Sequence, residues 1–266
     1  MHALLNVAVM AARRAGAVLG RNFNKRDKLT IEKKGYNDFV TSADLAAERA
    51  IIDVIHKHYP DHAILAEESG TQGDSDHVWI IDPLDGTINY VHGLPVFAVS
   101  IGLQIKGRME HAVVYDPMSE ELFTASRGEG AQLDGRKIRV SGVRDLDRSL
   151  IGTGFPLPQA DLDPGPYLAM LGKVISNTSG VRRPGAAALD LCYVACGRLD
   201  GFWETGLKAW DLAAGTLIIR EAGGIISALD GGEQHLESGH VLTGTPKIYQ
   251  GLARLCAKEI KAILAA

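Results

Sequence analysis

With 266 residues, 46% of them hydrophobic and 23% charged, the chain can bury a large core as one domain or as two closely packed lobes. A net charge of -4, from 28 basic and 32 acidic residues, gives no general drive toward nucleic acid or an anionic membrane. No linker rich in Pro, Gly and Ser divides the chain, and no run approaches the ~18 consecutive apolar residues of a membrane helix.

Leu4, Leu5, Ala8, Ala12, Ala15 and Leu19 recur at three- and four-residue steps, which predicts an amphipathic helix over residues 2–24. Arg13 and Arg14 follow the apolar start instead of preceding it, the reverse of a secretory signal, so a cytoplasmic protein is expected. Arg21, Lys25, Arg26, Lys28, Lys33 and Lys34 crowd residues 21–34, where a solvated loop or hairpin is the common fate of a charge run. Asn37-Asp38-Phe39-Val40-Thr41 leads to Ser42 and Asp44, both good N-cap types, ahead of a helix over Leu45–His58. Tyr59-Pro60-Asp61 ends that helix, and a short strand, His62–Ala66, runs into Glu67-Glu68-Ser69-Gly70. Adjacent carboxylates at a strand end repel unless solvent or a cation compensates.

The stretch Val78–Tyr90 is the centre of the reading. An apolar strand stops at Asp82; Asp85 follows three residues later, then Gly86 and the hydroxyl of Thr87. Pro83 has no N–H and a fixed φ, so a regular strand should end there, and the turn can aim both carboxylates into one cleft. Asp-Gly after a hydrophobic strand is also a hairpin signal. Carboxylates are the ligands of hard cations such as Mg2+, and Glu67 and Asp82 are expected at neighbouring strand ends.

Phe97–Leu103 and His111–Tyr115 are strands without intervening helices, so this half should hold a largely antiparallel sheet. Gly128-x-Gly130 lacks the third glycine of a dinucleotide motif and is expected to be a loop; Leu133-Asp134-Gly135-Arg136 is expected to be a hairpin. The second half alternates strands at Leu150–Phe155, Gly201–Glu204, Gly223–Ser227 and Val241–Gly244 with helices at Leu168–Ser176, after Pro184, at Leu212–Ala222 and at Lys247–Ala265. Asp211 stands at the expected N-cap of one of them, a position worth roughly 1 kcal/mol with no metal present. Three cysteines, Cys192, Cys196 and Cys256, cannot all pair within the chain and suit a reducing compartment.

Glu67-Glu68-Ser69, the block Trp79–Thr87, and Trp210-Asp211 followed by Glu221-Ala222-Gly223-Gly224 together resemble the motifs of the inositol monophosphatase family, over about residues 2–260. Asn37–Thr41, Arg182-Arg183 and Gly201–Glu204 most resemble its bacterial, SuhB-like branch. The resemblance implies an α/β (α+β) fold, a layered αβαβα sandwich with mixed and antiparallel sheets. It can be treated as one domain with lobes at about 1–145 and 146–266. It implies a Mg2+-dependent phosphomonoesterase with two or three Mg2+ ions per active site. Glu67, Asp82 and the Leu84 carbonyl would hold the first metal; Asp82, Asp85 and Asp211 the second. Glu67 and Thr87 would orient the attacking water, with Asp44 supporting Thr87. The Gly86 and Thr87 amides would meet phosphate oxygens. Gly185, Ala187 and Glu204 would contact the inositol ring, alongside Asp85 and Asp211. Arg182 would bind substrate, and Lys33 would lie on the loop that recruits a third metal.

The chemistry asks for such a set. Phosphate monoesters hydrolyse so slowly unaided that catalysis must supply upward of ~20 kcal/mol. Paired cations can activate water, neutralise phosphate oxygens and stabilise the leaving alkoxide. Thr87 is no strong base and needs Glu67 or Asp44 to accept its proton. Two departures stand out: Ile88, where many relatives carry threonine, predicts a packing change, and Ala186, commonly serine or threonine, an altered hydrogen bond. Fructose bisphosphate, NADP and histidinol phosphate are alternative substrates for the same chemistry; Glu204 favours a polyol. The resemblance further implies a homodimer, lithium sensitivity and contact with RNA polymerase antitermination factors, for which residues 21–34 and Arg183 are candidate surfaces.

Overall fold

The computed structural model describes residues 2–25, 30–35, 38–155 and 163–265; Arg26, Lys28 and Asn37 lie outside them. The chain opens with α1 (Ala3–Phe23), the β1–β2 hairpin (Ile31–Gly35, Asp38–Thr41) and α2 (Ser42–His58). Then come β3 (Ala63–Ala66), β4 (Gly70–Gln72), β5 (His77–Asp85) and the short α3 (Thr87–His92). A meander follows: β6 (Ala98–Ile105), β7 (Arg108–Asp116), β8 (Glu121–Ser126), β9 (Gly130–Leu133) and β10 (Arg136–Lys137). The rest is β11 (Leu150–Thr153), α4 (Gly165–Asn177), β12 (Gly180–Arg182), α5 (Ala187–Ala195), β13 (Gly201–Glu204) and α6 (Ala209–Glu221). It closes with β14 (Ile225–Ser227), α7 (His235–Ser238), β15 (Val241–Gly244), α8 (Pro246–Leu255) and α9 (Ala257–Ile263).

Two sheets organise these elements. One has eight strands in the order β10-β9-β8-β7-β6-β5-β3-β4, antiparallel except where β3 lies parallel to β5; the other has five, in the order β12-β11-β13-β15-β14, with mixed directions. Strands exposing alternate residues to two faces need apolar cover on both, and the helices supply it in layers. The alanine-rich stripe of α1 (Ala8, Ala11, Ala12, Ala15) packs with α2 against one face of the large sheet through Trp79, Ile81 and Phe97. On its other face, α5 and α6 fill the space between the sheets, with Leu189, Leu191, Leu217 and Ile218 buried. Residues of α4, α8 and α9 cover the far face of the five-stranded sheet around Trp203 and Leu242. The αβαβα sandwich is the fold the resemblance implies.

Four local expectations are corrected. The strand β5 does not end before Pro83. It runs to Asp85, and the proline sits in a bulge where Asp82 pairs with Ser100 and Asp85 with Ala98, so its missing N–H costs no regular ladder bond. Asp85-Gly86 is no hairpin, since it opens α3. The closing helix is two, broken at Cys256. Finally, α1 is long and apolar enough by length and composition to cross a membrane, although its buried stripe packs inside the protein.

Candidate active site

The parallel pairing of β3 with β5 aligns Ala66 with Ile81, so the next residues, Glu67 and Asp82, leave neighbouring strand ends together. The Glu67 amide donates to the Ile81 carbonyl at 3.2 Å and fixes that register. Asp82, 1% exposed, accepts the Leu84 N–H at 2.9 Å on Oδ1. Across the ladder, Ser100 pairs with Asp82 and donates its hydroxyl to the Trp210 carbonyl at 3.3 Å, tying the start of α6 to the same spot. Asp211 therefore arrives beside Asp82 from a distant part of the chain. It is not the N-cap of α6; that residue is Lys208, whose N–H donates to Asp211 Oδ2 at 2.7 Å.

Asp85 is held by another helix. Ala186 caps α5 with no side-chain hydrogen bond, and the Asp85 carboxylate takes the free amides instead, from Ala187 at 3.2 Å and Ala188 at 2.7 Å. Gly86 follows with φ +94°, and a Cβ there would meet the Val96 carbonyl at 2.9 Å, so only glycine fits this corner. The corner delivers Thr87, whose hydroxyl lies 3.2 Å from Asp44 Oδ1 and 3.0 Å from the Leu84 carbonyl. Asp44 is not the N-cap of α2 either. Thr41 is, and Asp44 closes a capping box by accepting the Thr41 N–H at 3.0 Å and its hydroxyl at 2.5 Å. Capping and support of Thr87 thus fall to opposite oxygens of one buried carboxylate.

Carboxylate oxygens of Asp82, Asp85 and Asp211 all lie within 4.8 Å of one another. Burial pushes all three carboxyls up: Asp85 to about 7, helped by Asp211; Asp211 to about 6; and Asp82 well above its usual range, helped by Glu67, Asp85 and Asp211. Burial likewise lifts Asp44 to about 6. Crowded acids gathered in one place need either protons or a cation. An all-oxygen donor set of this kind fits a hard divalent metal.

The substrate-side residues surround this cluster unequally. Glu204 ends β13, and burial, then the Asp211 and Asp85 charges, push its carboxyl well above the usual range, opposed by Arg183. Gly185 has φ +89°, its carbonyl accepting from the Asn89 side-chain amide at 3.2 Å. The Ala187 amide is already engaged by Asp85. Arg182 is not brought to the cluster: it is exposed on the edge strand β12, and its guanidinium donates to the Val181 carbonyl at 3.0 Å. Arg183 is the arginine whose charge opposes the rise at Glu204, and its guanidinium is 5.4 Å from the Phe155 ring centroid. Lys33 lies in β1 opposite Phe39; its side chain is outside the described residues.

A profile of the inositol monophosphatase family matches residues 1–261. The chain belongs to the inositol monophosphatase family. The Nus factor SuhB of Pasteurella multocida is 52% identical over 250 residues, covering 93% of each chain. The crystal structure of the extragenic suppressor protein suhB from Bartonella henselae superposes with a TM-score of 0.92 at 44% identity, over 96% of this chain and 98% of that one. The inositol monophosphatase from Anabaena superposes with a TM-score of 0.84 at 39% identity, over 96% and 95%. Membership supports a phosphatase, and the family is generally metal-dependent, in keeping with the acidic cluster.

Within the inositol monophosphatase fold, the two departures from the common pattern have local explanations. Ile88 is 37% exposed on α3, so it changes a surface and not the packing. Ala186 can lack a hydroxyl because Asp85 serves the amides of α5. Two supporting residues escape a reading of the sequence. Glu48 is buried one turn beyond Asp44 on α2 and accepts the Glu68 N–H at 2.8 Å, holding the strand end that carries Glu67. Its i+4 spacing from Asp44 was the available signal. Asn89 donates to the carbonyls of Val96 and Pro184 at 2.8 and 2.9 Å and joins α3 to the loop before α5. Asp190, an acid in an apolar helix, is also buried, with no hydrogen-bond donor to its carboxyl among the described residues.

Proposed function

We propose that this chain is a Mg2+-dependent phosphomonoesterase that hydrolyses myo-inositol monophosphate to inositol and phosphate. The observation that carries the reading is the convergence of Asp82 and Asp85, at the bulged end of one strand, with Asp211, on a helix distant in sequence, to within 4.8 Å. With Glu67 and the Leu84 carbonyl, these residues would hold the metal. When bound, it lowers the pKa of a coordinated water and neutralises phosphate oxygens. The protein's own groups do the rest. Thr87, donating its proton toward Asp44, keeps its lone pairs to accept from a water and orient it. Asp44, at about 6, stays mainly ionised at neutral pH and can serve as that acceptor. Glu67 would take part in the same orientation. The Gly86 and Thr87 amides suit phosphate oxygens, and Glu204 suits the hydroxyls of a polyol.

Phosphate release is the test, with inositol 1-phosphate, fructose bisphosphate, NADP and histidinol phosphate compared at saturating Mg2+. The reading expects inositol 1-phosphate to have the highest kcat/KM; a preference for another ester would keep the chemistry and move the substrate.

A second role is favoured by the name Nus factor borne by the Pasteurella relative. We propose contact with the transcription antitermination machinery alongside catalysis, with a homodimer as the assembly. An Asp82→Asn variant should still be retained by RNA polymerase and antitermination factors in a pull-down, and loss of retention with catalysis would refute an independent scaffold role.

A further inference from the structure

The helix α2 carries two acids one turn apart, Asp44 and Glu48, and both are buried, at 0% and 4% exposure. Acids at i and i+4 repel when ionised, and burial takes each carboxylate out of water, so the pair weakens the helix unless its oxygens are used. Each is used, and on a different element. Asp44 Oδ1 accepts the Thr87 hydroxyl at 3.2 Å, just beyond the end of β5. Glu48 Oε2 accepts the Glu68 N–H at 2.8 Å, just beyond the end of β3.

The second of these bonds acts on Glu67. Residues Glu67 to Ser69 turn the chain from β3 into β4, with Ala66 paired to Gly70 across the turn. The Glu67 N–H donates to the Ile81 carbonyl at 3.2 Å, and the next N–H, that of Glu68, donates to Glu48. Both peptide groups that flank the Glu67 Cα are therefore tied, one to the strand that carries Asp82 and one to α2. Each peptide is planar, so fixing the two planes fixes the direction in which the Glu67 side chain leaves the chain.

We infer that Glu48 is a positioning residue for the metal site, one that aims Glu67 at the acidic cluster through the main chain beside it. By the same means α2 holds both groups assigned above to orienting the water, Thr87 through Asp44 and Glu67 through Glu48. When the Glu48 acceptor is withdrawn, the turn loses that tie and Glu67 is correctly aimed in a smaller fraction of molecules. Cation affinity falls by that fraction. A bound cation then holds Glu67 in place, and the chemistry proceeds as before. The inference rests on the metal-dependent phosphatase reading above and adds to it what prepares the site for its cation.

Two substitutions separate the hydrogen bond from the charge. Glu48→Gln removes the carboxylate and keeps an acceptor oxygen at the same reach; Glu48→Asp keeps a carboxylate and draws it back by one methylene. The melting temperature of each, and of wild type, is recorded from chelator to saturating Mg2+, with phosphate release from inositol 1-phosphate over the same range. Glu48→Asp should need about tenfold more Mg2+ for the same rise in melting temperature and for half-maximal release, with kcat at saturating Mg2+ within about threefold of wild type, the usual effect of removing a hydrogen bond that orients a metal ligand. Glu48→Gln should follow wild type to within about threefold on the Mg2+ axis, since a neutral acceptor still serves the Glu68 amide. A tenfold shift in Glu48→Gln would mean that the carboxylate itself attracts the cation. No shift in either variant, with only a lower melting temperature in chelator, would mean that Glu48 serves the fold alone. Either result overturns the inference and leaves the phosphatase reading standing, whereas a wild type whose melting temperature and phosphate release ignore Mg2+ would overturn both. Should Glu48→Asp fail to fold, Glu48→Met, of similar length and without the acceptor, takes its place with the same expected shift.

Discussion

Thr87 has a single hydroxyl proton and two acceptors for it, Asp44 and the Leu84 carbonyl. If that hydroxyl orients water as proposed, Thr87→Ser should retain activity within about tenfold, while Thr87→Val and Asp44→Asn should lose about 10²-fold or more in kcat, the range of a positioned proton acceptor. Steady-state kinetics at constant Mg2+ measures this; a Thr87→Val enzyme with normal kcat would remove Thr87 from the mechanism. The raised carboxyls make a second prediction at this scale. Asp44, Asp85 and Asp211 titrate at about 6, 7 and 6 in the folded protein, against about 4 when unfolded. Their protonation then favours the folded state, fully so below the unfolded value, and this contribution is lost as pH rises through 6–7. In a chelator the melting temperature should fall between about pH 5 and pH 8, and Mg2+ should flatten that fall by replacing protons as the counter-charge. A chelator-treated protein that gains stability over the same interval would contradict the burial of these acids.

At the level of the elements, Asp85 has two tasks, ligand in the acidic cluster and cap of α5. Asp85→Asn retains an acceptor for the α5 amides and should cost little stability, whereas Asp85→Ala should lose about a further 1 kcal/mol in denaturant unfolding, the usual worth of a cap. Equal stability for the two variants would mean that the cap contributes nothing. The block from Asp82 to Thr87 was legible in the sequence because its residues are contiguous and each type has a chemical reason to be there. Pro83 misled, because a proline stops a regular strand but not one that bulges at that residue. Asp44 and Asp211 were legible as helix-start acids, yet each stands at N3, three positions beyond the N-cap, where its carboxylate takes the N-cap amide and not the N2 or N3 amides that an N-cap side chain serves. The surroundings of Glu204 were not legible. They are set by the β11–β13 pairing, which puts Thr153 opposite Trp203 and leaves no local mark in the sequence.

For the whole molecule, the layered sandwich explains why the cluster can exist. Asp82 and Asp85 end a strand of the eight-stranded sheet, and Asp211 opens a helix of the layer between the sheets, so the acids meet where two rigid layers join. Alternating helices and strands were legible from periodicity, but which strands share a sheet was not, because pairing depends on contacts far apart along the chain. A cation held by several elements binds only the folded protein and should raise its melting temperature in proportion to the logarithm of its concentration, and Asp82→Asn should abolish that rise. The most direct measurement is phosphate release from inositol 1-phosphate as Mg2+ is titrated into metal-free protein, for wild type and Asp82→Asn. The carboxylate cluster predicts no release without metal, saturable activation in wild type and a loss of at least about 10³-fold in the variant, the scale on which removed electrostatic stabilisation is felt. Release that is indifferent to Mg2+, or that survives Asp82→Asn, would contradict it.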